Sequence, residues 1–138
     1  SPTTASARQW SRDDVSNHFK NLFFRNHNGD RHYLVCFDSE RSLAIRDLEA
    51  RLRQGKLTFA SPERMERWLG LRPGSVSPFG LINDPENHVH LFLDVTLRAC
   101  PASSFHPNDN RATVVIPQEE FLKYLAAVGN SYEFIELY

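Results

Sequence analysis

Two aromatic-rich apolar runs, residues 21–25 and 32–37, stand on either side of Asn26-His27-Asn28-Gly29-Asp30. The polar break contains an Asn-Gly pair, and a tight reversal between strands needs positive φ, which these residues reach at least steric cost. The pattern predicts an early β-hairpin, which commits the chain to a sheet that must then be covered. Helical signals follow. Over residues 43–54, Ile45, Leu48 and Leu52 fall on one stripe, and Gly55 supplies a stop. Residues 57–59 form a short strand. Ser61 then caps a second helix with Pro62 at its first position, Met65, Trp68 and Leu69 on its apolar face, and Gly70 and Pro73 beyond its end.

Further strands are expected at residues 79–82 and 89–93, separated by the polar turn Asn83-Asp84-Pro85-Glu86-Asn87, and at residues 112–116. A third helix spans residues 117–128 with Phe121, Leu125 and Val128 on one side, and a last strand spans 132–137. Strands mixed with short helices, some strands joined by tight turns, describe an α+β domain rather than a doubly wound parallel one. The expected sheet is mixed and mostly antiparallel, with about three short flanking helices.

The bulk numbers fit one domain. The chain has 138 residues, 41% of them hydrophobic, enough for a single core. Its formal net charge of −1 argues against a protein that coats a duplex, though not against one that handles only the end of a nucleic acid. Charge is uneven: residues 41–72 hold eight of the sixteen basic residues and four acids. That stretch suits either a phosphate-facing surface or a solvated helix face. Cys36 and Cys100 form no spaced ligand pattern, and Cys36 lies in an apolar run, as in a reduced, cytoplasmic protein. No apolar run reaches membrane-spanning length. Residues 1–17, small and polar at their start, are read as an N-terminal segment, a linker or the cut end of a longer protein.

Three loops carry residues that packing explains poorly. Gly74-Ser75-Val76-Ser77-Pro78-Phe79-Gly80 has two glycines and a proline, so that main-chain N–H groups can approach an anion or a developing oxyanion. An ordinary helix-to-strand connection would have the same composition. Phe105-His106-Pro107-Asn108-Asp109-Asn110 is a stiff polar loop whose His106 can bind a ribose or carboxyl group or move a proton, unless its amides only cap their own turn. His18-Phe19-Lys20-Asn21 offers a lysine as a phosphate hook or simply as a solubilising strand end. His88 and His90 share one side of a strand, but no third metal ligand is near in sequence. There is no Gly-x-Ser-x-Gly elbow, P-loop or dinucleotide fingerprint.

The wording of the three loops is specific. Lys20-Asn21-Leu22-Phe23, with His18 two residues before the lysine, resembles the K-N-L-F segment of prolyl-tRNA editing domains, the YbaK or prolyl-tRNA synthetase-associated family. Gly74-Ser75-Val76-Ser77-Pro78 resembles that family's G-x-x-x-P loop. Phe105-His106-Pro107-Asn108-Asp109-Asn110-Arg111-Ala112-Thr113 resembles the F-H-P-x-x-N-x-A-T segment of its free-standing alanine-specific branch. The resemblance spans about residues 18–137 and implies a YbaK-like editing domain over residues 18–138. The family usually has an N-terminal helix and strand before the lysine segment, where this chain has nineteen residues. It also often has Gly-His where this chain has Gly129-Asn130.

The resemblance implies a trans-editing ester hydrolase that removes alanine from tRNA(Pro), without cofactor, metal or covalent nucleophile. Its partners would be the mischarged acceptor end of tRNA(Pro) and prolyl-tRNA synthetase, with no membrane. It places catalytic support on Gly74, Ser75, Val76, Ser77, Pro78 and His106, and substrate binding on Lys20, Asn21, Phe79, Gly80, Asn108 and Asn110. The alternatives are a non-catalytic tRNA- or synthetase-associated binding module and a Cys-tRNA(Pro) deacylase.

Overall fold

The computed structural model describes residues 16–105 and 114–138, with side chains from His18 onward. The described residues begin with the expected hairpin, β1 (Ser16–Arg25) and β2 (His32–Asp38), antiparallel with Phe24 opposite Tyr33. Asn26 organises the turn: its Oδ1 accepts from the N–H groups of Asp30 (3.0 Å) and Arg31 (3.1 Å), and its carbonyl accepts from Gly29 N–H (3.1 Å). Gly29 takes the positive φ of +74° that the turn requires.

After the hairpin come α1 (Ile45–Leu52), β3 (Thr58–Phe59), α2 (Pro62–Leu69), a 3-10 helix (Pro78–Asn83) and β4 (Val89–Asp94). The chain continues through α3 (Val95–Ala99), β5 (Ala102–Phe105), β6 (Val114–Pro117), α4 (Gln118–Val128) and β7 (Tyr132–Ile135). The strands form one sheet in the order β6-β5-β1-β2-β4-β7, with β3 added beside β1.

Period-two alternation gives the sheet two buried faces. Phe19, Phe23, Leu34 and Cys36 point to one, where Met65, Leu69, Leu81, Phe121 and Leu125 from α2, the 3-10 helix and α4 cover them. Phe24, Tyr33, Val35 and Phe37 point to the other, beneath Leu48 and Leu52 of α1 and Leu137. Burying both faces explains why β2 and β4 read as continuous apolar runs rather than alternating ones.

Several expectations need correction. Residues 79–82 are not a strand but part of the 3-10 helix. A four-residue apolar run does not distinguish strand from helix, and Ser77, whose Oγ accepts from Phe79 N–H at 3.3 Å, together with Pro78 starts a helical turn. Helix α1 ends on Arg53, itself left-handed at φ 56°, two residues before Gly55. Among the described residues the sheet is mixed, with antiparallel pairs not in the majority: β1–β2, β1–β3 and β5–β6 are antiparallel, while β1–β5, β2–β4 and β4–β7 are parallel. Connections that include a helix allow strands to return in the same direction, as between β4 and β7 by way of α4. Among the described residues there are four α-helices, one more than expected, because α3 follows directly on β4 with Asp94 as its cap.

The buried Asp84 ties the far end of this arrangement together. Its carboxylate accepts from His88 N–H (3.1 Å), Val89 N–H (2.8 Å) and Asn130 Nδ2 (2.8 Å). Asn130 also donates to Val89 O at 2.9 Å. Asn130 thus joins the start of β4 to the α4–β7 connection.

Candidate functional site

Strand β1 is fully paired with β2 from Phe19 to Arg25. Among the described residues, its other edge pairs with β5 from Ser16 to Phe19 and with β3 at Phe24 and Arg25. A cavity of about 230 Å³ lies along β1 beside residues 20–23. Its walls are Lys20, Asn21, Leu22 and Phe23 of β1, Phe59, Ala60 and Met65 beside β3 and on α2, and Pro73, Gly74 and Val76 of the glycine loop.

The strand geometry determines what β1 offers there. His18 O accepts from Ser39 N–H, on the β2 side, and Phe23 O accepts from Ala60 N–H, on the β3 side. Main-chain groups alternate in direction along a strand, so the N–H and C=O of Asn21 are directed to the same side as those of Phe23. The side chains alternate across the faces. Asn21 lies opposite Cys36 in the register, and its Oδ1 accepts from the Cys36 thiol at 2.6 Å. Lys20, its neighbour, is exposed and holds its ammonium 5.6 Å from the centre of the Phe37 ring, which belongs to the other face. Lys20 and Asn21 thus reach the same cavity from opposite sides of the strand.

The glycine loop is held from behind. Arg72 O accepts from Ser75 N–H (3.1 Å) and Ser75 Oγ (2.9 Å), closing a tight turn in which Gly74 has a φ of +90°. Tyr124 on α4 donates its hydroxyl to Pro78 O at 2.7 Å, and burial pushes that phenol up to about 12. With Ser75 N–H committed to the turn, Gly74 and Val76 bring main-chain N–H groups that have no acceptor among the described residues.

The cavity unites only part of the expected set. Lys20, Asn21, Gly74 and Val76 converge on it. Ser75 and Ser77 shape the backbone, through the Arg72 turn and the 3-10 cap, and do not line the cavity. Phe79 packs edge-on against Phe105 (5.9 Å between ring centres) and beside Tyr124, behind the loop. Gly80 is a packing glycine: a Cβ there would lie 2.9 Å from Leu69 O and 2.6 Å from Leu71 Cδ1. His106, Asn108 and Asn110 lie outside the described residues.

Two residues were missed in the sequence. Phe59, in a two-residue strand, is 52% exposed at the cavity and stacks on Phe24 with ring centres 4.8 Å apart. The sequence placed it only in a short strand. Cys36 read as a small hydrophobe, and only strand register places its thiol against Asn21.

His88 and His90 have separate partners. His88 Nε2 lies 2.8 Å from His32 Nδ1, and its ring stacks on Trp68 at 3.7 Å. His90 lies 2.6 Å from Ser131 Oγ and 3.3 Å from Glu133 Oε1. Arg64 Nη1 donates to the remaining His32 nitrogen at 3.1 Å, which makes that nitrogen the acceptor and leaves Nδ1–H to face His88. Burial, followed by the neighbouring His88, pulls His32 down to about 4. No group of three or more His, Cys, Asp or Glu side chains suited to a metal ion occurs among the described residues.

The profile of the aminoacyl-tRNA editing domain matches residues 2–124. The chain belongs to the aminoacyl-tRNA editing domain family. Within that family it is 41% identical over 118 residues to the prolyl-tRNA editing protein ProX of Acetoanaerobium sticklandii, a match covering 86% of this chain and 72% of that one. It is 33% identical over 108 residues to prolyl-tRNA synthetase associated domain-containing protein 1 of Danio rerio, covering 77% of this chain and 58% of the relative. A solved structure of a candidate trans-editing enzyme for prolyl-tRNA synthetase superposes with a TM-score of 0.65 at 25% identity, over 97% of this chain and 79% of that one.

Proposed function

We propose that this editing domain hydrolyses the ester of mischarged tRNA(Pro), with alanine as the preferred acyl group. The observation that carries the reading is the cavity beside residues 20–23 of β1. In a chain 41% identical to a prolyl-tRNA editing protein, it joins a lysine, an asparagine and a glycine loop around a small apolar hollow.

In the reaction, a water oxygen bonds to the ester carbonyl carbon. The bond from that carbon to the ribose oxygen breaks, and the ribose oxygen leaves with a proton as a hydroxyl. The products are the free amino acid and intact tRNA. Negative charge gathers on the carbonyl oxygen on the way, and fixed N–H donors stabilise it more than they stabilise the neutral ester. The N–H groups of Gly74 and Val76 are suited to that oxygen. Lys20 supplies a flexible point charge for the terminal phosphate. Asn21 hydrogen-bonds the ribose or acyl group. Phe59 offers an exposed aromatic face on which the terminal adenine stacks.

Selection against proline rests on volume. A synthetase pocket shaped for proline cannot strongly reject the smaller alanine, whereas a second site too small for proline can. Ala60, Met65 and Val76 form the apolar part of that wall.

Hydrolysis of Ala-, Cys- and Pro-tRNA(Pro), measured side by side, tests the reading. Alanine is expected to be released fastest and proline least. Faster release of cysteine reassigns the acyl group. Rapid hydrolysis of Pro-tRNA(Pro) contradicts exclusion by volume, and a tRNA mobility shift with no amino acid released makes the domain a binding module.

A further inference from the structure

An asparagine amide has a donor end and an acceptor end of nearly identical shape, and which end meets a ligand depends on its neighbours. Here the neighbour is Cys36. It is fully buried, pairs with Asn21 across the β1–β2 register, and donates its thiol to Asn21 Oδ1. Burial alone pushes the thiol well above its ordinary range, so it stays an S–H group, able to donate. With Oδ1 occupied, the opposite end of the amide carries two N–H donors. Nδ2 has no acceptor among the described residues, and Asn21 lines the cavity.

We propose that Cys36 is a positioning residue that locks the Asn21 amide with its NH2 group toward the substrate, so that Asn21 acts only as a donor. The inference rests on the deacylase reading and sharpens it. A donor end binds an ester or ribose oxygen and cannot bind the α-ammonium of the aminoacyl group, which is itself a donor. Without the thiol, the amide can turn over and present Oδ1 to an ester oxygen, which repels it.

The experiment compares Cys36→Ala, Cys36→Val and Cys36→Ser in the full chain. Val fills the space without a donor, and Ser keeps a donor. Loss of one weak hydrogen bond predicts that kcat on Ala-tRNA(Pro) falls roughly three- to tenfold in the Ala and Val variants, with KM nearly unchanged. Ser is expected to recover most of that loss. Equal kcat in all three variants and the unmodified protein overturns the proposal, as does a Ser variant no better than Ala at matched thermal midpoints. Should Val fail to fold, the Ala–Ser contrast decides.

A second readout does not depend on turnover. The Asn21 side-chain NH2 resonances are followed by NMR during titration with an amide-linked, non-hydrolysable alanyl-adenosine analogue. They are expected to shift on binding in the unmodified protein and in Cys36→Ser, and to shift less or broaden in Cys36→Ala. No shift in the unmodified protein, with binding evident elsewhere, overturns the donor assignment. If that shift is present but no variant nor the unmodified protein releases alanine, the deacylase reading fails while the positioning of Asn21 stands.

Discussion

Gly80→Ala separates a packing glycine from a ligand-approach glycine. Gly80 does not occupy the left-handed region, so alanine meets no backbone penalty there. Its added Cβ would instead lie 2.6 Å from Leu71 Cδ1, 2.9 Å from Leu69 O and 3.1 Å from Leu69 Cβ. The Leu71 methyl can rotate away, but the Leu69 carbonyl belongs to the last turn of α2 and can yield only if the 3-10 helix and α2 move apart. Overpacking of this kind costs about 1–3 kcal/mol, offset by about 0.4–1 kcal/mol from the stiffer unfolded chain. The net loss is about 1–2 kcal/mol. For a domain of this size that lowers Tm by about 3–10 °C. Because the 3-10 helix continues from the glycine loop, the same displacement moves Gly74 and Val76, so deacylation of Ala-tRNA(Pro) is expected to fall as well. Calorimetry and the deacylation rate are measured on one preparation. Lost activity at an unchanged or raised Tm would show that Gly80 is needed by the substrate and not by α2, and would refute the packing argument.

Two further expectations concern other groups. Phe59→Ala is expected to raise KM for Ala-tRNA(Pro) about tenfold, the loss of one base–aromatic stack, with Phe59→Trp near the original value; an unchanged KM in the Ala variant removes the adenine platform. Stability is expected to depend on pH through His32, whose pKa is about 4 in the fold against 6.5 for a free imidazole. Between these values the unfolded chain binds a proton that the folded chain does not. The contribution is therefore complete above pH 6.5 and is lost as pH falls toward 4, by about 3 kcal/mol in full. Urea unfolding at several pH values across that window measures it, and a slope equal to that of His32→Asn would contradict it.

What the sequence determined by itself was local. Asn26 and Gly29 specify the hairpin turn because both the side-chain acceptor and the positive φ are supplied within the turn. Ser61 and Pro62 specify the start of α2, where Ser61 Oγ accepts from Arg64 N–H at 3.2 Å, and the Phe121–Leu125 spacing specifies the buried side of α4. The loop motifs likewise carried the family.

Tertiary structure decided everything that depends on which strands become neighbours. Strand β5, all small or polar except Phe105, is buried because it lies between β1 and β6, and nothing in its own wording requires that. The apolar residues 79–82 became helical against α2. The cavity is walled by β1, by residues beside β3 and on α2, and by the glycine loop, segments far apart in the chain that no local pattern brings together. Strand register then placed Cys36 behind Asn21 and directed Lys20 to the opposite face. Turns and caps are satisfied by residues a few positions apart, so sequence specifies them; a cavity walled by β1, α2 and the glycine loop is built by residues far apart in the chain, and only the assembled fold brings them together.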